Sequence, residues 1–254
     1  MDNHFKIFIP FYNVEQWITQ TIRSVRGQDY KNYECILVDD MSTDNSVQIA
    51  KQEIAEDTRF RIIRNTEKKF ALKNLCDTIK EFNPNNSDII TILHGDDWLA
   101  NRRTLSILNK TYNEHDCWLT YGSYVEYPSK IRGKFSIKVP DHVLETNSIR
   151  SVQWMTSHLQ TFKYGLWKHI EQDKSFKESD EPDKEHHFPF AWDLAWMFPL
   201  IELAGKKSHF VSDILYVYNR ANPLNVDKIE RQMQLMTERK IRSMEPYNPL
   251  NTIS

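Results

Sequence analysis

Two pairs of adjacent carboxylates stand at the ends of apolar runs. In Ile90-Thr91-Ile92-Leu93-His94-Gly95-Asp96-Asp97-Trp98 a β-branched stretch stops at a glycine and two acids follow at once. Cys35-Ile36-Leu37-Val38-Asp39-Asp40 repeats the design and runs on into Met41-Ser42-Thr43-Asp44. Each reads as a buried strand delivering acids to a sheet edge, where open α/β sheets hold their ligands. Neighbouring carboxylates repel unless a positive charge sits beside them. A divalent cation that also holds phosphate oxygens meets that need, since Mg²⁺ is held through one or two carboxylates plus substrate phosphates. Asp96 and Asp97 are therefore metal candidates; the plainer reading is an Asp-Asp turn capping the next helix. Successive strand side chains point to opposite faces. Asp39 and Asp40 should divide, one entering the crevice while the other meets loop amides or the next helix, for which Ser42, Thr43 and Asp44 are cap candidates.

Such residues need a sheet to position them, and the first half of the chain supplies the pattern. Strands are predicted over 5–10, 33–39, 60–64, 89–94 and 118–121. Helices are predicted over 14–26, 46–55, 71–82 and 102–112. This alternation argues for βαβ units and a mostly parallel sheet with helices on both faces. The second half is less regular. Residues 122–139 read as a strand or hairpin excursion, 152–164 as a helix ending in a strand, and 174–187 as a mobile polar surface loop. A helix over 191–204 ends at Gly205, short strands follow over 209–212 and 215–219, and an amphipathic helix over 227–244 packs back on its own domain.

Composition narrows the function. The 254 residues suffice for one large α/β domain or one domain with a small lid, and a net charge of −2 gives no basic footprint for nucleic acid. No apolar run approaches the roughly 20 residues of a membrane span. The N-terminus lacks a secretory pattern, so a cytoplasmic location is expected, with peripheral membrane contact left open. Three scattered cysteines, Cys35, Cys76 and Cys117, form no C-x-x-C spacing and suit a reducing compartment. With six glycines and neither G-x-G-x-x-G nor a P-loop, dinucleotide and P-loop enzymes have no signature here.

Taken in order, Ile9-Pro10-Phe11-Tyr12-Asn13, then Leu37-Val38-Asp39-Asp40-Met41-Ser42-Thr43-Asp44, then Asp96-Asp97 resemble the successive motifs of family 2 glycosyltransferases. The resemblance covers most of residues 5–220. It implies an α/β, GT-A-like fold: a mixed, mostly parallel sheet flanked by helices. It implies a nucleotide-sugar-binding half (1–122), an acceptor and catalytic-base half of the same domain (123–226), and a C-terminal helix and tail (227–254). The implied activity is transfer of a sugar from a nucleoside-diphosphate sugar, UDP-sugar favoured, to a hydroxyl of a carbohydrate acceptor. Inversion, help from Mn²⁺ or Mg²⁺, and a place in polysaccharide assembly go with it.

The same resemblance distributes roles. Pro10, Tyr12, Asn13, Asp39, Lys73 and Asp96 would hold the nucleotide, and Asp96 and Asp97 the metal. An ionised Asp39 only accepts hydrogen bonds, so it can take N3–H of uracil or thymine, or N1–H of guanine, but finds no such donor on cytosine. Many members read Asp-x-Asp-Asp where this chain has His94-Gly95-Asp96-Asp97; His94 is expected to contact a phosphate or close the strand rather than ligate directly. Asp193, in Phe190-Ala191-Trp192-Asp193, takes the place of the general base, with Trp where Glu is usual. An acid among Trp and Phe should have a raised pKa. His158, and His186 and His187 beside the polar loop, are accessory candidates, and Trp154, Trp167, Trp192 and Trp196 divide between core and an acceptor platform. Two rivals remain: a nucleotidyltransferase, which would carry a glycine- and basic-rich N-terminal loop, and a catalytically silent sugar- or nucleotide-binding module.

Overall fold

The computed structural model describes residues 2–170, 172–177, 187–225 and 230–253. Its strands are β1 (Phe5–Phe11), β2 (Tyr33–Asp39), β3 (Phe60–Arg64), β4 (Ile89–Ile92), β5 (Trp98–Leu99), β6 (Leu119–Tyr127), β7 (Thr161–Lys163) and β8 (Ser208–Asn219). They form one sheet in the order β3-β2-β1-β4-β7-β6-β8-β5. β1 to β4 run parallel, as do β6 and β8; β7 is antiparallel to β4 and β6, and β5 to β8. The mixed α/β sheet agrees with the expected fold class.

Strand alternation builds two cores. Phe8, Ile36, Val38, Ile90 and Ile92 pack with helices Phe70–Phe82 and Trp192–Ala204. Ile7, Ile9, Cys35, Leu37 and Ile89 pack with helices Ile18–Arg26 and Thr104–His115. Both faces are covered, which is why these strands read as unbroken apolar runs.

The register brings the acid-bearing ends together. Phe11 pairs with Asp39, so β1 and β2 finish level. Beyond β4, Leu93 N–H donates to Phe8 O and Gly95 N–H to Pro10 O, both at 3.0 Å, laying the acidic turn along β1. A Cβ on Gly95 would fall 2.4 Å from Phe11 Cβ, so only glycine allows that approach.

Departures from expectation have local causes. The first helix begins at Ile18 rather than 14, because Asn13 turns with φ 51° and Val14 N–H is taken by Ser46 Oγ at 2.8 Å. No helix opens at 152: Ile137 N–H donates to Met155 O and Ser157 N–H to Phe135 O, both at 3.1 Å, so pairing across segments overrides helical periodicity. The two short strands over 209–219 are the single β8, which stays paired with β6 through register shifts at Ser123. Strand β6 runs on to Tyr127, in keeping with the strand or hairpin excursion expected over 122–139.

The start of the expected polar loop is packed, with Ser175 and Phe176 buried; its residues 178–186 lie outside the described residues, as do 227–229 of the expected C-terminal helix. Helix Arg231–Ser243 does pack back, burying Thr237 and Ile241. The Arg150 guanidinium joins it to the body, donating to Ile241 O at 2.6 Å and to the buried Glu202 carboxylate at 2.5 and 2.9 Å. Among the described residues no helix is long and apolar enough to cross a membrane.

Candidate active site

A cleft of about 530 Å³ opens at the carboxyl ends of β1 and β8. Pro10, Tyr12, Asp40, His94 and Asp96 line it from the first half of the chain, and His158, Trp192, Asp193 and Asn222 from the second.

The first acid pair does not divide as expected: Asp40, which meets the loop amides, is also the acid on the cleft wall. Asp40 is buried. Its Oδ1 accepts from Asn65 Nδ2 and Lys69 N–H, both at 2.9 Å, and its Oδ2 from Phe70 N–H at 3.0 Å. Asp40 therefore holds the loop that starts helix Phe70–Phe82. Asp39 is fully buried, and its Oδ1 accepts from Ser42 N–H at 2.9 Å. Its Oδ2 has no hydrogen-bond partner, although Arg64 Nε stands 3.3 Å away. Asp39 lies beneath the cleft rather than on its wall.

The second pair does divide. Asp97 is 1% exposed. It accepts from Tyr216 Oη at 2.5 Å and from Asn219 N–H at 2.7 Å, which ties the acidic turn to β8. Burial, and then the Asp96 charge, push its carboxyl well above the usual carboxylate range. Asp96 faces the cleft, and its Oδ2 accepts from Asn222 Nδ2 at 2.7 Å. The Thr21 hydroxyl fixes the turn from below, 2.9 Å from Gly95 O and 2.7 Å from Asp97 O.

His94 and His158 meet over the turn, ring centroids 5.0 Å apart. His158 stacks on Tyr216 at 4.5 Å. Burial, and then the neighbouring His94, hold its imidazole well below the usual value. Burial also lowers His94, against the pull of Asp96. Ligand atoms of His94, Asp96 and Asp97 lie within 4.8 Å of one another, and His94 Nε2 is buried with no hydrogen-bond partner. The other ring nitrogen, Nδ1, stands 3.6 Å from Asp97 Oδ2, and an imidazole with a free nitrogen grouped with two carboxylates is a donor set that fits a divalent cation.

Asp193 reaches the cleft from the opposite half. Ala191, at φ 47°, turns the chain into helix Trp192–Ala204, and Asp193 sits half-buried in its first turn. Burial raises its carboxyl to about 6, while the amides of Leu194 and Asp193 pull it partly back. Both the position and the raised pKa agree with the sequence reading. Trp192 lies against His94, centroids 5.5 Å apart. Of the four tryptophans singled out, only Trp192 lines the cleft; Trp167 and Trp196 are buried, and Trp154 packs on Phe198.

Besides Asp39 and Asp97, three more expected contributors are off the cleft wall. Lys73 pairs with Asp77 and is not on the cleft wall. Asn13 joins two loops, its Oδ1 accepting from Thr43 N–H at 2.8 Å and its own N–H donating to Ser42 Oγ at 2.9 Å. His187 bridges to Lys177 in a short antiparallel pair outside the cleft lining, and His186 lies outside the described residues. Sequence reasoning missed Lys68. Its Nζ lies 3.1 Å from the Tyr12 ring centroid on the cleft wall. Burial lowers its pKa, while Asp40 and Asp39 pull it up. Asn222 and Gln234 were missed too, since no residue pattern marks a loop amide or the inner face of a distant helix.

Comparison with known proteins gives the same answer. The model of the family described as glycosyl transferase family 2 matches residues 6–173. Glycosyltransferase GlyG of Streptococcus pneumoniae serotype 4 is 26% identical over 237 residues, 87% of this chain and 72% of its own. Of the next two curated glycosyltransferases it matches, this chain spans 46% and 26%. S. aureus TarS 1–349, solved in complex with UDP-GlcNAc, shares the fold at a TM-score of 0.63 and 17% identity, over 95% of this chain and 68% of that one. Mannosyltransferase PcManGT of Pyrobaculum calidifontis, solved with GDP-Man and Mn²⁺, does so at 0.60 and 17%, over 97% and 66%.

Proposed function

The chain belongs to glycosyl transferase family 2, and we propose that it moves a sugar from a nucleoside-diphosphate sugar, UDP-linked by preference, to a glycan hydroxyl with inversion. One observation carries the reading: Asp96 and Asp193, from opposite halves of the chain, line the same cleft. In this reading residues 1–122 hold the donor and 123–226 the acceptor, with 227–254 the C-terminal helix and tail, of which Glu230 and Gln234 line the cleft.

Asp39 Oδ2, which has no hydrogen-bond donor although Arg64 ion-pairs with it at 3.3 Å, accepts the imide N–H of the base. Tyr12 and Lys68 pack at the entrance. Asp96, in the His-Asp-Asp group, would hold Mn²⁺ or Mg²⁺. A cation there supplies Lewis-acid stabilisation of the charge that builds on the leaving group; the relative solved with Mn²⁺ supports that use. Ionised Asp193 takes the proton of the acceptor hydroxyl as its oxygen bonds to the anomeric carbon and the bond to the diphosphate breaks. Attack opposite the leaving group inverts the anomeric centre. The raised Asp193 pKa suits a base that works near neutral pH. Three free, buried cysteines support a reducing, cytoplasmic setting.

A panel of UDP-, GDP-, dTDP- and CDP-sugars with Mn²⁺, with and without glycan acceptors, tests the proposal. Release of nucleoside diphosphate from one of the first three is expected, and Asp193→Asn should slow transfer about 10²–10⁴-fold. Pyrophosphate release would indicate nucleotidyl transfer, and affinity without turnover a binding module.

A further inference from the structure

We infer that the cation is gripped by His94 together with Asp96, that Asp97 is a positioning residue behind them, and that this nitrogen–oxygen grip favours Mn²⁺ over Mg²⁺. The inference rests on the donor site proposed above and deepens it. It departs from the sequence expectation in two ways, bringing His94 into direct ligation and taking Asp97 out of it.

Three observations on the acidic turn point there. Asp97 does not line the cleft; it is 1% exposed and accepts from Tyr216 Oη at 2.5 Å and Asn219 N–H at 2.7 Å. Turning it toward a ligand would leave two buried donors on β8 unpaired, at about 1–3 kcal/mol each. His94 does line the cleft, and its Nε2 is buried without a hydrogen-bond partner. A buried polar atom with no partner is uncommon enough to need a reason. Asp96 also lines the cleft, its rotamer fixed through Oδ2 by Asn222 Nδ2 at 2.7 Å.

The chemistry follows from the donor atoms. Mg²⁺ is a hard ion that demands near-octahedral oxygen coordination and loses water reluctantly. Mn²⁺ and Mg²⁺ both suit carboxylate and phosphate oxygens, but Mn²⁺, the larger and more polarisable transition ion, loses less when one of those donors becomes an imidazole nitrogen. Replacing one carboxylate of the turn by a ring nitrogen therefore penalises Mg²⁺ more than Mn²⁺. It also removes a negative charge from a turn that already carries Asp96 and Asp97. His158 is the other imidazole on the cleft wall, with its Nδ1 also unpartnered, and serves as the internal control.

Pulsed EPR of Mn²⁺ bound in the presence of UDP reads the ligand directly, through the hyperfine coupling of a directly bound ¹⁴N. Calorimetric competition between Mn²⁺ and Mg²⁺ reads the preference. The wild-type chain should show the coupling. His94→Asp and His94→Gln should bind Mn²⁺ without it, and the Mn²⁺ preference should fall by about tenfold or more, the scale on which metal sites respond to altered ligand support. His158→Asn and Asp97→Asn should both keep it. Coupling that survives both His94 variants, or disappears in His158→Asn, would overturn the inference. So would Mn²⁺ bound by the wild type with no nitrogen signal, an outcome that leaves the metal-assisted reaction standing. Binding of UDP with no Mn²⁺ uptake would remove both.

Discussion

Asp39–Asp40 and Asp96–Asp97 look alike in sequence and stand at the ends of β2 and β4, the two strands that flank β1, yet within each pair the two acids do different work. The second acid of each is buried and bound to distant groups. Asp40 holds the amides of Lys69 and Phe70, and Asp97 holds Tyr216 Oη and Asn219 N–H. The first acid keeps capacity for a ligand: Asp39, beneath the cleft, through a buried oxygen that accepts no hydrogen bond and has only the Arg64 ion pair at 3.3 Å, Asp96 through its place on the cleft wall. The pairs differ in what the second acid fastens. Asp40 anchors the loop entering helix Phe70–Phe82 of the same half. Asp97 reaches across to β8 and joins the halves. In both pairs the second acid is thus a fastener, although Asp40 also lines the cleft while Asp97 does not, and only the far end of the fastener's bond tells which structure depends on it.

Substitutions can break this division. The largest effect should come from Asp96→Asn, which lowers turnover about 10²–10³-fold, the scale of losing one transition-state charge contact, with the melting temperature nearly unchanged. Asp97→Ala should do the reverse. It strands two buried donors, costs about 3 kcal/mol, and lowers the melting temperature by roughly 6–12 °C; a stable Asp97→Ala protein without turnover would erase the contrast between the two acids. Asp39→Asn keeps an acceptor for Ser42 N–H but weakens recognition of the base. The expected loss is about 1.5–3 kcal/mol of donor affinity, read in KM rather than kcat.

The smallest effect is one of pH and sharpens the comparison from outside. Protonated Asp193 cannot accept the acceptor's proton, so kcat/KM should rise with pH through about 6 and level off above. Asp193→Asn should flatten that limb. If the limb persisted in Asp193→Asn and vanished in Asp39→Asn, the base would lie in the first pair instead.

How much of this was legible in the sequence depends on how far each determinant reaches. The bounds of β2 and β3 follow from local apolar runs and match the structure residue for residue. That Asp39 and Asp40 take different partners follows from strand alternation alone; that Asp40 both meets the loop amides and lines the cleft does not. Nor does the division of Asp96 from Asp97, because it rests on Tyr216 and Asn219, brought close only when β8 enters the sheet. Lys73 was expected where Lys68 stands, since the path of that loop depends on Asp40 capturing two of its amides while Phe70 turns at φ 60°. The helix expected from 152 failed for the same kind of reason: 155–157 pair with 135–137, a partnership invisible to periodicity. Asp193 was found because a resemblance placed it, and burial then gave it the raised pKa that its aromatic surroundings implied.

A crystal structure of the chain with UDP and Mn²⁺ tests the central claim most directly. The account predicts the uracil imide against Asp39, the ion between Asp96 and the diphosphate, and the Asp193 carboxylate facing the open space beyond the terminal phosphate. Nucleotide bound outside this cleft, or Asp193 walled off from the diphosphate, would contradict it.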